Sequence, residues 1–212
     1  MIRSSIQYCL PFFGSLRQWH WISSALCLAG MFMFAGTGIT LNHAGQIEAS
    51  PRVTSIEEVM PPEIVTLAQR HQQSLGSRSL APLPAPLQQW LREAHGIHIT
   101  NQPAEWSADE VYLSLPRPGG DAWLSIDFLL GELLYENTSR GVISYLNDLH
   151  KARNTGLAWS WFIDLFSVVS IVFCLTGLLL LVRQQRSRPM TWPVTGLGLL
   201  IPVLLALLFI HN

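Results

Sequence analysis

Residues 165–182 read LFSVVSIVFCLTGLLLLV and carry no charged side chain. A helix needs about 20 mainly apolar residues to cross a hydrocarbon core about 30 Å thick. Two other stretches, residues 21–41 and 189–210, are equally free of charge. Because lipid offers no hydrogen-bond partner to a free backbone N–H or C=O, each stretch predicts a transmembrane helix.

The overall composition agrees with three spans in a lipid bilayer. Apolar residues make up 49% of the 212 residues and charged residues 13%, whereas a soluble domain carries about 25% charged residues. The formal net charge is −1, and no basic patch lies outside the loops that set the topology. A nucleic-acid partner is therefore not expected.

The first apolar stretch shares one feature with signal peptides, since Arg3 and Arg17 precede it. It is longer than a typical signal-peptide core, and it ends in Gly-Ile-Thr-Leu-Asn-His, residues 38–43, rather than in a small-residue cleavage site. We therefore expect an uncleaved membrane anchor.

Basic residues predict the orientation of the three spans. Arg3 and Arg17 flank the start of the first span. The short link between the second and third spans holds Arg183, Arg186 and Arg188. By the positive-inside rule, the N-terminus and this link are cytoplasmic. Residues 44–156 are then periplasmic, and the chain is a multi-pass protein of a bacterial inner (plasma) membrane.

The chain divides into four parts on this reading. They are an N-terminal segment with the first transmembrane helix (1–43), a periplasmic domain (44–148), the second transmembrane helix (149–185) and the third (186–212). Cys9, Cys27 and Cys174 lie in or beside the spans, so we interpret them as small apolar packing residues rather than as a disulfide framework.

The periplasmic part has the pattern of a small α+β domain. Residues 61–70 begin with two prolines, as helices often do, and residues 87–95 form a second helical pattern that Gly96 ends. A Pro-rich connector, APLPAPL, lies between the two. Strands are predicted at 111–115 and 122–128 on either side of the turn signal Pro-Arg-Pro-Gly-Gly-Asp, and at 133–135.

Four histidines flank the predicted membrane helices. His20 lies at the cytoplasmic start of the first helix and His43 at its outer end, 23 residues away. At 1.5 Å per residue that separation is about 34 Å, so the two cannot share a ligand. His150 precedes the second span and, by topology, lies at the same depth as His43. His211 ends the third span, again outside.

Paired histidines on neighbouring membrane helices suggest a b-type haem held by His43 and His150. Two imidazole ligands make an electron-transfer centre, and Gly36, Gly38 and Gly45 would let a flat macrocycle approach the backbone. Two other interpretations remain open. Histidine also suits the membrane interface, and Gly-x-Gly also serves helix packing.

Asp164 is an ionisable residue near the outer end of the second span. Burial of its charge in the membrane would be energetically unfavourable. Asp164 would orient a histidine through a hydrogen bond from outside the ligand shell, pair with Arg153, or cap the start of the helix. The sequence does not choose among the three.

Several segments resemble the PepSY-associated transmembrane family. They are LRQWHW (16–21) leading to GTGITLNH (36–43), LNDLHKARNTG (146–156), WFIDL (161–165), LTG (175–177) and DFLLGE (127–132). The resemblance implies an α-helical membrane protein with three transmembrane helices and a small α+β PepSY-like extracytoplasmic domain. Larger members include inner-membrane reductases for iron–siderophore complexes, which hold haem on membrane histidines. The matching positions here are His20, His43 and His150.

The chain is shorter than those reductases and has fewer spans, so His20 lacks an evident partner. A second copy in a homo-oligomer, or a redox partner subunit, would have to supply one. Two functions follow as hypotheses. The first is a membrane-bound haem b protein for electron transfer, an oxidoreductase component that supports ferric iron or siderophore reduction at the periplasmic face. The second is a non-catalytic PepSY membrane module that regulates or assembles a partner protein.

Other catalytic classes are not indicated. The chain has no flavin or nicotinamide motif, so electrons would come from an external donor. It also has neither His-Glu-x-x-His nor Gly-x-Ser-x-Gly, so a protease is not indicated.

Overall fold

The computed structural model describes residues 14–48, 50–76 and 79–210. Arg3, Cys9 and His211, which figure in the sequence predictions, lie outside these residues. The chain forms two compact units. Among the described residues, one unit comprises residues 14–33 and 161–210, and the other comprises residues 34–160 within the same described parts.

The three predicted spans are confirmed as helices long and apolar enough to cross a membrane. They are α1 (Leu16–Asn42), α5 (Leu157–Gln184) and α6 (Thr191–Leu205). A short 3-10 turn, Gln185–Ser187, follows α5. A π-helical turn, Ala206–Ile210, extends α6. Pro202 lies inside α6, and a proline there removes one backbone hydrogen bond, which is a usual cause of such irregularity.

The remaining elements form an α+β domain. In chain order they are β1 (Arg52–Val59), α2 (Pro62–Leu75), β2 (Leu80–Pro82), α3 (Ala85–His95), β3 (Pro103–Trp106), β4 (Glu110–Ser114), β5 (Gly120–Asp127), β6 (Glu132–Ser139) and α4 (Val142–His150). We call the part from β1 to β6 the sheet domain. Its six strands are all antiparallel, in the order β1-β6-β5-β4-β3-β2.

The core of the sheet domain lies between one face of the sheet and the helices α2 and α3. Along β5 buried residues alternate with half-buried ones, as expected when one face of a strand is covered. The fully buried side chains include Leu87 and Leu91 from α3, with Leu113, Leu124, Ile126 and Leu133 from the strands. Gly96 ends α3 in the left-handed conformation, at φ +67°, which glycine adopts at low cost.

The second predicted membrane segment, residues 149–185, is divided in the structure. His150 ends α4, and α5 begins only at Leu157. Between them Ala152, Asn154 and Gly156 have positive φ angles of 53°, 58° and 80°. These left-handed residues interrupt the helix, and the indole N–H of Trp159 bonds the carbonyl of Leu149 across the break at 2.8 Å.

Helix α4 is attached to the sheet domain by a buried carboxylate. Asp148, only 5% exposed, accepts the backbone N–H of Gly119 at 2.8 Å and pairs with Arg153 at 3.0 Å. Gly119 has φ +74°, and a Cβ at that position would lie 2.8 Å from the Cα of Tyr145. The turn between β4 and β5 therefore needs glycine both for its conformation and for contact with α4.

Candidate functional site

His20 is held against α5 inside the first unit. Its ring stacks on Phe173, with centroids 4.8 Å apart and planes 15° from parallel. Its Nδ1 lies 3.1 Å from the hydroxyl of Thr176. Gly177 leaves room for the ring, because a Cβ there would be 3.2 Å from the Cε1 of His20. The sequence predicted His20 as a candidate ligand but did not predict these neighbours.

His150 is held against α1 inside the second unit in a similar way. Its Nδ1 lies 2.6 Å from the hydroxyl of Thr37, and its ring meets the edge of Phe34 at 4.9 Å. A Cβ on Gly38 would be 3.9 Å from its Cε1, which is ordinary contact. Each of the two histidines therefore lies beside a phenylalanine, a threonine and a glycine of another helix.

The hydroxyl of Thr176 determines which nitrogen of His20 carries the proton. That hydroxyl is 2.7 Å from the carbonyl of Val172, to which it donates. A hydroxyl has only one proton, so toward His20 it acts as the acceptor and Nδ1–H is the donor. The Nε2 of neutral His20 then keeps its lone pair, which is the form that binds a metal.

The corresponding geometry at His150 allows two arrangements. Thr37 lies 3.3 Å from the carbonyl of Phe34. If the hydroxyl of Thr37 donates within its own helix, His150 has the same tautomer as His20. If it donates to His150 instead, Nε2 carries the proton and cannot bind iron.

His43 is exposed, just beyond the end of α1. Its Nδ1 lies 3.0 Å from the carbonyl of Ile39, and a carbonyl can only accept, so Nε2 again keeps the lone pair. Among the contacts of the described residues, none joins His43 to His150. Two ligands on opposite faces of a macrocycle would not touch each other, so this absence leaves their predicted pairing untested.

Threonine hydroxyls lie on the rings of His20 and His150, and the predicted role of Asp164 in orienting a histidine stays a prediction. Asp164 is exposed, lies about two turns inside α5 rather than at its start, and forms no hydrogen bond or ion pair among the described residues. Arg153 pairs with Asp148 within its own unit. Of the alternatives left open for Asp164, the capping of α5 is excluded by this position.

The threonines that sequence reasoning missed do leave a signal in the sequence. Phe34-Ala-Gly-Thr37-Gly38 and Phe173-Cys-Leu-Thr176-Gly177 share the pattern Phe-x-x-Thr-Gly. We call each copy a histidine cradle. Both threonines are buried, at 6% and 8% exposure. The described part of the chain contains no group of three or more His, Cys, Asp or Glu residues able to hold a bare metal ion.

Among the described residues of the sheet domain, no histidine ring lies on a Phe-x-x-Thr-Gly motif. His95 pairs through Nε2 with Glu58 at 3.0 Å, which joins α3 to β1. The ring of His71 lies 5.0 Å from Trp106 beside the core. Of the two cysteines in the described residues, Cys27 is buried and Cys174 exposed, and both are free thiols.

Comparison with known proteins places the chain in context. The model of a family described as PepSY_TM-like matches residues 12–211, which is nearly the whole sequence. No curated protein and no solved structure gives a significant match.

Proposed function

Because this chain belongs to the PepSY_TM-like family, we propose that it is a membrane-bound b-type haem protein that transfers electrons. The electrons would support reduction of ferric iron or an iron–siderophore complex at the periplasmic face. This makes the chain an oxidoreductase component of a bacterial inner membrane, with its N-terminus cytoplasmic and residues 44–156 periplasmic.

The observation that carries the proposal is the oxygen atom within hydrogen-bond distance of Nδ1 in each membrane histidine of the described residues. In His20 and His43 the hydrogen bond made by Nδ1 leaves the lone pair on Nε2. Haem-binding histidines normally donate their other nitrogen to an oxygen acceptor, which fixes the ring and strengthens the ligand. The same arrangement at His150 requires Thr37 to accept, and the proposal includes that tautomer.

The residues therefore fit haem b as a cofactor. His43 and His150 would hold one haem at the outer side, and His20 would contribute a ligand to a second haem at the inner side. Bound there, the haem would supply a centre that takes up and releases one electron at a time. The chain's own residues orient the imidazoles of His20 and His150 through ring contacts with Phe173 and Phe34.

The electron donor and the second ligand for His20 would come from outside this chain. Since no flavin or nicotinamide motif is present in the sequence, a redox partner subunit would supply the donor. The ligand for His20 would come from that subunit or from a second copy in a homo-oligomer.

The proposal is tested by the visible spectrum of the full chain, purified in detergent from haem-replete cells and recorded oxidised and dithionite-reduced. We expect the reduced α-band of a low-spin b-type haem. In a His20→Ala background, which removes the inner site, His150→Ala should abolish the band because a ligand of the outer haem is lost. His98→Ala, in an exposed loop of the sheet domain, is the matched control and should keep the band. A colourless wild-type preparation would refute the haem assignment. A band that survives both His150→Ala and His43→Ala in the His20→Ala background would refute this ligand pair.

A second function, a PepSY module that regulates or assembles a partner protein, is favoured by a different feature. The turn between β5 and β6 exposes Leu129 and Leu130, at 79% and 65%, and adjacent exposed leucines are typical of protein contact sites. Replacement of both leucines by Ser would weaken partner assembly under this function and would leave the haem spectrum unchanged under the first.

A further inference from the structure

We propose that Thr37 and Thr176 are positioning residues that hold His150 and His20 with the proton on Nδ1, so that each Nε2 is available to iron. The inference rests on the proposed haem function. It goes further by assigning a role to a repeated sequence pattern, the two histidine cradles, rather than to the histidines alone.

Helix geometry explains why the cradle pattern works. Residues at i, i+3 and i+4 lie on one face of a helix, so the phenylalanine, threonine and glycine of each Phe-x-x-Thr-Gly motif form one surface. At His20, Phe173 stacks on the imidazole, Thr176 meets Nδ1, and Gly177 lets the ring approach the backbone. At His150, Thr37 meets Nδ1, Phe34 makes an edge contact and Gly38 is in ordinary contact distance. One cradle lies in α1 and the other in α5, and each receives a histidine from another helix.

The threonine hydroxyl is the only polar group that contacts each cradle-bound Nδ1 among the described residues. The rest of each cradle is apolar, and an N–H deprived of its acceptor in such surroundings is unfavourable. Loss of the hydroxyl therefore removes the reason for the proton to stay on Nδ1. The ring becomes free to change tautomer or to rotate, and both changes withdraw Nε2 from iron.

Substitution by valine or by serine distinguishes the effect of the threonine hydroxyl from the effect of its branched shape. Thr37→Val and Thr176→Val keep the branched shape and lose the hydroxyl, whereas Thr37→Ser and Thr176→Ser keep the hydroxyl. Thr195→Val is the matched control, because Thr195 bonds only the carbonyl of Thr191 in its own helix, at 2.8 Å, and meets no histidine among the described residues.

Two measurements on the full chain in detergent test the assignment. Haem affinity and midpoint potential are measured by haem titration and redox titration. The ¹⁵N NMR shifts of the histidine ring nitrogens, in haem-free protein, give the tautomer without reference to haem. We expect each valine variant to bind haem about 10–100-fold more weakly, as for other groups that orient metal ligands, and to lose the Nδ1–H signature. The serine variants and Thr195→Val should behave like wild type.

The outcomes distinguish this inference from the function on which it rests. Valine variants with wild-type haem affinity, midpoint potential and ring-nitrogen shifts would overturn the positioning role, even if the protein is a haem protein. If wild type binds no haem, the haem function fails, and the ¹⁵N shifts still decide the role. Unchanged Nδ1–H signatures in the valine variants would then refute it, and lost signatures restored by serine would support it.

Discussion

At the scale of single residues, glycine decides how closely a histidine approaches its cradle. A Cβ on Gly177 would lie 3.2 Å from the Cε1 of His20, and one on Gly38 would lie 3.9 Å from that of His150. The distance at Gly177 is shorter than an ordinary van der Waals contact, whereas the distance at Gly38 is an ordinary one. The two cradles share a sequence pattern and differ in how much room they leave.

This difference predicts unequal effects of the same substitution. Gly177→Ala should displace the ring of His20 and lower stability, since overpacking costs about 1–3 kcal/mol. Gly38→Ala should be neutral or slightly stabilising, because alanine favours a helix by about 1 kcal/mol over glycine. Thermal unfolding of the two variants in detergent measures the difference. Equal melting temperatures would show that the ring of His20 does not occupy the space next to the Cα of Gly177.

At the scale of elements, α4 connects the sheet domain to the end of α1. Asp148 binds the backbone of Gly119 in the β4–β5 turn. Asn147 accepts the hydroxyl of Thr40 at 2.6 Å, and His150 meets Thr37. All three contacts come from the last turn of a helix of nine residues, so the position of His150 depends on the contact between α4 and the sheet domain.

Removal of the Asp148 carboxylate should loosen this connection. Asp148→Ala leaves the buried N–H of Gly119 without its acceptor, which costs about 1–3 kcal/mol, and also breaks the pair with Arg153. Hydrogen exchange should become faster at Gly119 and along α4, while the amides of β3 and β4 stay protected. Glu57→Gln, on an exposed position of β1, is the control. Unchanged protection at Gly119 in Asp148→Ala would contradict the attachment.

At the scale of the whole molecule, the chain is a membrane protein whose three spans are poorly covered by its own residues. In the most apolar 18 residues of each span, the buried share is 17% for the first span, 6% for the second and 0% for the third. Exposed leucines and valines cover α6, which suits contact with lipid tails. The sheet domain has its own core, so the two parts of the chain are stabilised by different surroundings.

The proposed orientation is testable by labelling from one side of the membrane. In a variant without native cysteines, Leu130→Cys should react with a membrane-impermeant thiol reagent in spheroplasts, because the β5–β6 turn is then periplasmic. Arg186→Cys should react only after lysis, because the positive-inside rule places the α5–α6 link in the cytoplasm. The reverse pattern would invert the assigned topology.

Much of the fold follows from local features of the sequence. Uncharged stretches predicted all three spans, since transfer into lipid depends on the side chains of one segment at a time. Gly96 predicted the end of α3, and Pro-Arg-Pro-Gly-Gly predicted the turn before β5, because turn conformation is a local property of glycine and proline. The separate helix α4 was not predicted, since its interruption depends on Ala152 and Asn154, which do not usually adopt positive φ.

The sequence by itself determined the membrane helices, the small α+β domain and which histidines flank the spans. Only the tertiary structure decided what those histidines contact. Thr176 is 156 residues from His20, and Thr37 is 113 residues from His150, so no local pattern joins them. Each hydroxyl meets its imidazole because residues of two different helices lie next to each other, and such contacts depend on the folded chain rather than on local sequence.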